Sequence, residues 1–381
     1  MPARILIVTA AFGEGHNSAA RNLSFALDEM GAESRVADPC MLAKPRLTRS
    51  LCKAYRFVTT HQPRLWARIY RATADVDFSR QRVPLMRRSE NALDRMIEDF
   101  APDAVVSTYP LYPYYLDRIF ARTGRPLPVF TAVTDSIEIN AAWLKAPRTR
   151  WLVTDAHTRR DMIDAGLDAA RVVETGFPVH PAFSRLKPLG ADAPVAPFDV
   201  LYFATAKLPH VRRISKAVLN ASPDTRITIV LGKNVRLLHQ RAREIKERFP
   251  GRVRIKGWTR RVPELLSKHH LVIGKAGGAT VHEAIAAMCP MLVHHLVPGQ
   301  EEGNLELLQR IGGGDLADSP EAIRRKTADM LADHATLWRR MKQSLARHGR
   351  NAGALTCARY ILEQIDHHRS TDSLSATKNP S

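Results

Sequence analysis

No stretch of this chain strings together the roughly 18 uninterrupted apolar residues that a membrane-crossing helix needs. The opening MPARILIVTAAFGEGHN has an apolar run but lacks the long core and cleavage pattern of a secretion signal, so it reads as a strand feeding a glycine turn. Cysteine is scarce: Cys40, Cys52, Cys289 and Cys357 include no Cys-x-x-Cys pair. That spacing argues against a disulfide scaffold or a zinc site and fits a reducing compartment. Acidic residues are in deficit, 38 against 57 Lys+Arg, for a formal charge of +19. An excess of that size speaks about partners rather than fold, and the candidates are nucleic acid, an anionic membrane or a phosphorylated substrate.

What is present suits two α/β domains. The 381 residues are 45% hydrophobic, enough for two substantial cores. Apolar runs at 4–11, 34–38, 103–107, 128–134, 150–154 and 171–176 read as strands in the first half. Those at 199–204, 226–231, 252–255, 271–273 and 291–297 do so in the second. Helical patterns alternate with them, which predicts two Rossmann-like, doubly wound domains facing a cleft. The expected boundaries are a first domain at 1–184, a Pro/Ala/Gly linker at 185–198, a second domain at 199–345 and a last helix at 346–366. The tail 367–381 is expected to be disordered.

The densest signal is LVIGKAGGATVHEAIAAMCPMLVHHLVPGQEEGN, Leu271–Asn304. A strand runs into Lys275-Ala276-Gly277-Gly278-Ala279-Thr280. An apolar stripe (Val281, Ile285, Met288) marks a helix with His282 and Glu283 on its polar face. Pro290 stops it, and a second strand leads to Pro298-Gly299-Gln300-Glu301-Glu302-Gly303-Asn304. A helix N-terminus after a glycine turn offers unpaired N–H groups to an anion. A carboxylate in the first helical turn, here Glu283, can accept from a ribose diol. The unit therefore reads as a nucleotide-diphosphate site.

The first half opens with a weaker signal, Gly13-x-Gly15-His16-x-Ser18, followed by an acid, Asp38, at the end of the next strand. A dinucleotide site is one reading, but His16 stands where a pyrophosphate would approach. His16 is either a helix cap or a general base, since an unperturbed imidazole titrates near about 6.5. Asp135 ends a strand, so it either caps the next helix or lies at the sheet edge where ligands bind. Residues 41–90 are helical and strongly basic, with Arg49, Lys53, Arg56, Arg68 and Arg71 interleaved with Tyr55, Trp66 and Tyr70. They read as a contact for an anionic membrane, for nucleic acid, or as a solvated face.

The Gly-Gly, Thr, Glu pattern and the Pro-Gly-Gln-Glu-x-x-Asn motif closely resemble the donor half of the monogalactosyldiacylglycerol synthases and processive diacylglycerol glucosyltransferases, of glycosyltransferase family 28. The resemblance is dense over 226–310 and patchy over 40–150. It implies the GT-B fold, with the last helix crossing back onto the first domain. It implies an inverting transferase that moves galactose or glucose from a UDP-sugar to diacylglycerol or a glycosyl-diacylglycerol, peripherally bound at the inner face of the membrane. By resemblance His16 deprotonates the acceptor, with Asp135 assisting, and Gly13 and Gly15 shape the turn on which it stands, in reach of the donor. Gly232, Lys233 and Asn234 stand near the donor phosphates, and Gly257, Trp258 and Val262 hold uracil. Gly277, Gly278 and Thr280 bind the diphosphate, with Lys275 either a counter-charge or strand-end solvation. Glu283 takes the ribose. Pro298, Gly299, Gln300 and Glu301 face the sugar, and Asn304 supports them. Two departures stand out: Asn140 where relatives tend to carry His, and a glycine-poor loop, Ala204–His210, where they carry glycines. With no Asp-x-Asp cluster among the donor motifs, no metal or other cofactor is expected, and no nucleic acid. The rival readings are a UDP-sugar epimerase or a soluble-acceptor transferase on the same fold, and, further off, a basic nucleotide- or nucleic-acid-binding protein.

Overall fold

The computed structural model describes residues 2–72, 84–205, 208–299, 301–350 and 352–376. The chain forms two compact units. One comprises the described residues up to Pro181, Pro298 and Gly299, and the chain's last helix; the other comprises Ala182–Val297 and Glu301–Arg350.

In the first unit the strands are β1 (Arg4–Val8), β2 (Glu33–Ala37), β3 (Ala104–Ser107), β4 (Val129–Ala132), β5 (Arg150–Val153) and β6 (Val172–Glu174). They pair in parallel in the order β2-β1-β3-β4-β5-β6. Its helices are α1 (Glu14–Glu29), α2 (Pro39–Ala43), α3 (Pro45–His61), α4 (Pro63–Ala72), α5 (Pro84–Phe100), α6 (Tyr112–Thr123), α7 (Ala141–Leu144) and α8 (Ala156–Asp164). Successive strand residues alternate between faces. Ile5 and Ile7 pack with α1 on one face, and Leu6 and Val8 pack with α5 and α6 on the other. A strand covered on both sides has no polar face to offer, which is why RILIV reads as one apolar run.

The second unit holds α9 (Ala182–Arg185), β7 (Phe198–Phe203), α10 (Leu208–Leu219), β8 (Thr225–Val230), α11 (Val235–Arg248), β9 (Val253–Lys256) and α12 (Val262–Lys268). It continues with β10 (Leu271–Lys275), α13 (Gly278–Ala286), β11 (Met291–His295), α14 (Glu302–Arg310), β12 (Gly314–Leu316) and α15 (Pro320–His348). The sheet order is β12-β11-β10-β7-β8-β9, again parallel. Each sheet reverses its strand order once, between β1 and β3 and between β7 and β10. At such a switch point the loops at the strand C-termini diverge and leave a crevice for ligands.

Several expectations change. The break falls at Pro181–Ala182, and the 185–198 segment travels with the second unit. Leu189 N donates to Ser267 O (3.1 Å), and His270 Nε2 bonds Pro194 O (2.8 Å). The last helix, α16 (Gly353–Ala376), continues ten residues past 366 instead of fraying there. Arg369 pairs with Asp103 at 2.7 Å, which ties this polar stretch down, while 377–381 lie outside the described residues. Ala354, Cys357, Ala358 and Ile361 of α16 bury against α1 and β1. A Cβ on Gly353 would lie 1.8 Å from Phe177 O, so only glycine lets the helix start this close to that backbone. The strand β12 went unread because Gly-Asp-Leu carries no apolar run.

Candidate active site

Two ligand-binding edges emerge, one on each unit. In the first unit α1 begins at Glu14, not at Ser18, so His16 stands inside the first helical turn rather than in the loop before it. Gly13 is the N-cap, extended (φ −155°), and makes no side-chain cap, while Gly15 is the second helical residue. Both belong to this unit, as do Pro298 and Gly299, whereas the other described donor residues sit on the second. The His16 ring is walled by aromatics, edge-on to Tyr109 (centroids 5.3 Å) and tilted against Trp143 (6.1 Å). Its Nδ1 lies 3.0 Å from Thr134 Oγ1. Burial pushes the imidazole pKa down to about 4, and a hydrogen bond with the Thr108 carbonyl only partly opposes this. The group is therefore neutral near pH 7, with a lone pair to offer.

Asp135 meets the indole beside His16. Its Oδ2 accepts from Trp143 Nε1 at 2.8 Å, fixing the indole that flanks the imidazole. A side-chain contact to His16 comes from Thr134, one residue earlier, beside the Thr108 carbonyl, and sequence reasoning missed both partners. Asn140 caps α7 by accepting from Ala142 N (2.9 Å) and hydrogen-bonds the Tyr70 hydroxyl. Burial, then the charges of Asp135 and Glu138, push the Tyr70 phenol well above its ordinary range. The site thus carries no second histidine at this position, and Asn140 instead ties α4 down. Asp38, the alternative ribose acid, spends its carboxylate on backbone, accepting from Ala11 N and Met41 N (both 2.9 Å).

These side chains border a cavity of about 470 Å³. Leu51, Tyr55 and Val58 of α3 and Trp66, Ile69 and Tyr70 of α4 form one wall; His16, Tyr109, Asp135 and Trp143 form the other. Outward from it, α3 and α4 expose Leu47, Leu51, Phe57, Leu65 and Ile69 among the exposed Arg49, Lys53, Arg56 and Arg68. The Arg71 side chain and residues 73–83, including the chain's Asp75-Val76-Asp77 spacing, lie outside what is described.

On the second unit β10 ends at Lys275, and α13 starts at Gly278 with Gly277 as an N-cap that makes no side-chain hydrogen bond. The first-turn N–H groups at Gly278, Ala279 and Thr280 are therefore left to a ligand or solvent. Glu283 is half-buried and falls in the second turn, not the first, because the helix begins three residues before its apolar stripe. His282 is buried rather than on a polar face. Glu301 differs from expectation. It is 6% exposed, one carboxylate oxygen pairs with Lys275 Nζ, and the other accepts from Val297 N (2.9 Å). Each of its oxygens has a protein partner, and the pairing holds Lys275 beside Gly277. Asn304 is buried beneath the turn and donates to Ala276 O (3.1 Å).

Gly232 opens a 3₁₀ turn after β8 at φ +58°, with Lys233 exposed; the Asn234 side chain is outside the description. Gly257 and Trp258 follow β9 and Val262 opens α12; Trp258 is 58% exposed, with the Arg260 guanidinium 5.5 Å from its ring. Pro298 and Gly299 form a turn (Gly299 φ +79°), and Gln300 is not described. Of the glycine-poor loop, 206 and 207 are outside the description. His210 beyond it meets His294 (ring centroids 5.5 Å), and Tyr202 also packs on His294 (5.7 Å) at this sheet edge. Residues from three separate segments meet there, and no local sequence pattern announces them. Among the described residues no group of three or more His, Cys, Asp or Glu is placed to hold a metal ion, and no helix is long and apolar enough to cross a membrane.

Residues 16–179 match the monogalactosyldiacylglycerol (MGDG) synthase family. The processive diacylglycerol beta-glucosyltransferase of Bacillus pumilus is 24% identical over 373 residues, spanning 95% of each chain. That of Bacillus cereus is 25% identical over 362 residues, 90% of this chain and 89% of the relative. Among solved structures, MurG of Acinetobacter baumannii superposes with a TM-score of 0.64 at 14% identity, covering 95% of this chain and 100% of that one. UDP-GlcNAc 2-epimerase of Neisseria meningitidis, bound to UDP-GlcNAc, does so at 0.56 and 15% identity, covering 94% and 98%. At those identities the structural likeness shows the fold alone. Two parallel six-stranded sheets and relatives that run the length of the chain lead to one conclusion: it is a GT-B glycosyltransferase related to the monogalactosyldiacylglycerol synthases and the processive diacylglycerol glucosyltransferases.

Proposed function

We propose that the chain transfers a hexose, glucose or galactose, from a UDP-sugar to the free hydroxyl of diacylglycerol or a glycosyl-diacylglycerol, with inversion, while bound peripherally to the inner face of a membrane. The observation that carries this reading is the apolar cavity of about 470 Å³ with a neutral His16 in its wall. Such a cavity accepts the apolar body of a lipid, and the imidazole takes the hydroxyl proton as the oxygen attacks the anomeric carbon. On the second unit the N-terminus of α13 and Lys275 stabilise the charge that develops on the departing UDP. This assignment draws on no metal or other cofactor, and nucleic acid has no part in it. Incubation with labelled UDP-glucose or UDP-galactose and dioleoylglycerol tests it. Label is expected in the lipid phase, and its absence with every pairing of UDP-hexose and lipid acceptor contradicts the proposal.

Thr134 orients the base in this reading. Thr134→Val is expected to lower kcat about tenfold with little change in KM for donor, whereas Thr134→Ser keeps the hydroxyl and most of the rate. A Val variant with native kcat means the His16 orientation has another source.

The exposed apolar and cationic side chains of α3 and α4 support the membrane assignment. Each basic residue near an anionic surface contributes about 1 kcal/mol. Flotation with vesicles containing phosphatidylglycerol is expected to carry the protein upward at low salt. The pair Lys53→Glu and Arg56→Glu is expected to weaken binding by at least about tenfold. Equal flotation with purely zwitterionic vesicles contradicts the electrostatic part of the assignment.

A further inference from the structure

Among the described residues one carboxylate, Asp135, lines the apolar cavity beside His16, and it is half-buried there. Placing a charge in such surroundings is unfavourable unless a hydrogen bond compensates. The compensating donor is Trp143 Nε1 at 2.8 Å, a charge-assisted bond. The influences that move the His16 imidazole are burial and the Thr108 carbonyl, whereas the Asp135 charge is felt at the Tyr70 phenol. The other titratable groups on the cavity wall are the phenols of Tyr55, Tyr70 and Tyr109. Burial drives the last two well above their ordinary range, so they carry no charge near neutrality.

The ring that Asp135 holds stands beside the base. Trp143 is 1% exposed, and its ring centroid lies 6.1 Å from that of the imidazole, within the range of an aromatic pair. Its backbone is pinned by other means: Trp143 O accepts from Trp151 Nε1 (2.8 Å), and the neighbouring Ala142 O accepts from the Tyr114 hydroxyl (3.1 Å). The backbone therefore stays in place while the orientation of the ring depends on Asp135, because an indole has a single donor and no acceptor. With the carboxylate removed, a buried N–H is left unpaired, and the ring is driven to turn towards water. A turned ring opens the imidazole to solvent and relieves the burial that lowers its pKa.

We propose that Asp135 is a positioning residue that holds the Trp143 indole against His16 as a screen from water, and that it acts on the base only through that ring. The proposal rests on the reading of His16 as the base. Two variants separate the parts of the side chain. Asp135→Leu removes both the acceptor and the charge, whereas Asp135→Asn keeps an acceptor oxygen and removes the charge. In Asp135→Leu kcat is expected to fall about tenfold. The acid limb of kcat/KM is expected to move up from about 4 towards 6.5 as solvent reaches the imidazole. Asp135→Asn is expected to retain most of the rate and the native limb. In a Trp143→Phe background, where the ring has no N–H to hold, Asp135→Leu is expected to add little. Magnetic resonance of the His16 ring nitrogens follows the same titration without turnover. It reads the proposal even if no lipid is glycosylated, the separate failure that removes the base reading. An Asn variant that behaves like the Leu variant overturns the proposal, because the charge itself is then needed, and loss of rate in the Asn variant does so even if the Leu variant fails to fold. So does a Leu variant that is folded by circular dichroism with a native imidazole titration, or one equally damaging in both backgrounds.

Discussion

Replacing His16 by alanine is expected to lower kcat by about 10²- to 10⁴-fold while leaving the affinity for the UDP-sugar nearly unchanged. The side chain sits in the wall of the apolar cavity on the first unit, whereas Lys275 and α13 belong to the second, so in the proposed reading its loss removes the proton acceptor and not a donor contact. The pH dependence sharpens the test. The His16 pKa is lowered from 6.5 to about 4, so the base stays unprotonated well below neutrality. The acid limb of kcat/KM in the native enzyme is accordingly expected near pH 4 rather than near 6.5. Folding stability follows the same sign. A depressed histidine contributes stability that is fully present above its unfolded value and is lost as pH falls towards the folded one, here between 6.5 and about 4. Circular dichroism across the same window separates loss of the base from loss of the fold. An alanine variant that bound UDP weakly but turned over normally at saturation would remove His16 from the chemistry.

Glu283→Ala is expected to lower kcat/KM for the UDP-sugar by about 10²-fold. A carboxylate that accepts from both hydroxyls of a ribose makes two charge-assisted hydrogen bonds, each contributing about 1.5 kcal/mol or more, and about 3 kcal/mol corresponds to two powers of ten. Glu283 is half-buried in the second turn of α13. Steady-state kinetics with UDP titration by calorimetry checks this. Native donor affinity in the variant moves the ribose site elsewhere on the second unit.

Much of the fold was legible because parallel strands covered on both faces leave unmistakable apolar runs. RILIV, AVVS and LVIGK all sit within three residues of where their sequences place them. Helix starts were read late for one physical reason. The first turn of a helix after a glycine turn carries small or polar residues, so the apolar stripe shows itself only a turn later. That shift placed His16 in a loop when it belongs to α1, and Glu283 in the first turn of α13 when it belongs to the second. Placement was legible where residues travel with a local motif, as Lys275 and Gly277-Gly278 do at the β10–α13 turn. It was not legible where a role depends on a partner far along the chain. Thr134 and His16 are 118 residues apart, and nothing in either neighbourhood announces the pairing. The same holds for Glu301, whose motif points to a sugar while its carboxylate serves Lys275 and the Val297 amide. The resemblance looked patchiest between 40 and 150, a span that includes the basic, aromatic residues 41–90, yet the family match covers 16–179.

The central claim is that hexose leaves UDP only to join a lipid hydroxyl. Following the donor by phosphorus and proton magnetic resonance, with and without diacylglycerol, tests this most directly. One UDP released for each hexose that becomes lipid-linked, and no change in the donor when lipid is withheld, is the expected result. Conversion of the UDP-sugar to an epimer, or its consumption at full rate with no lipid present, would contradict the account.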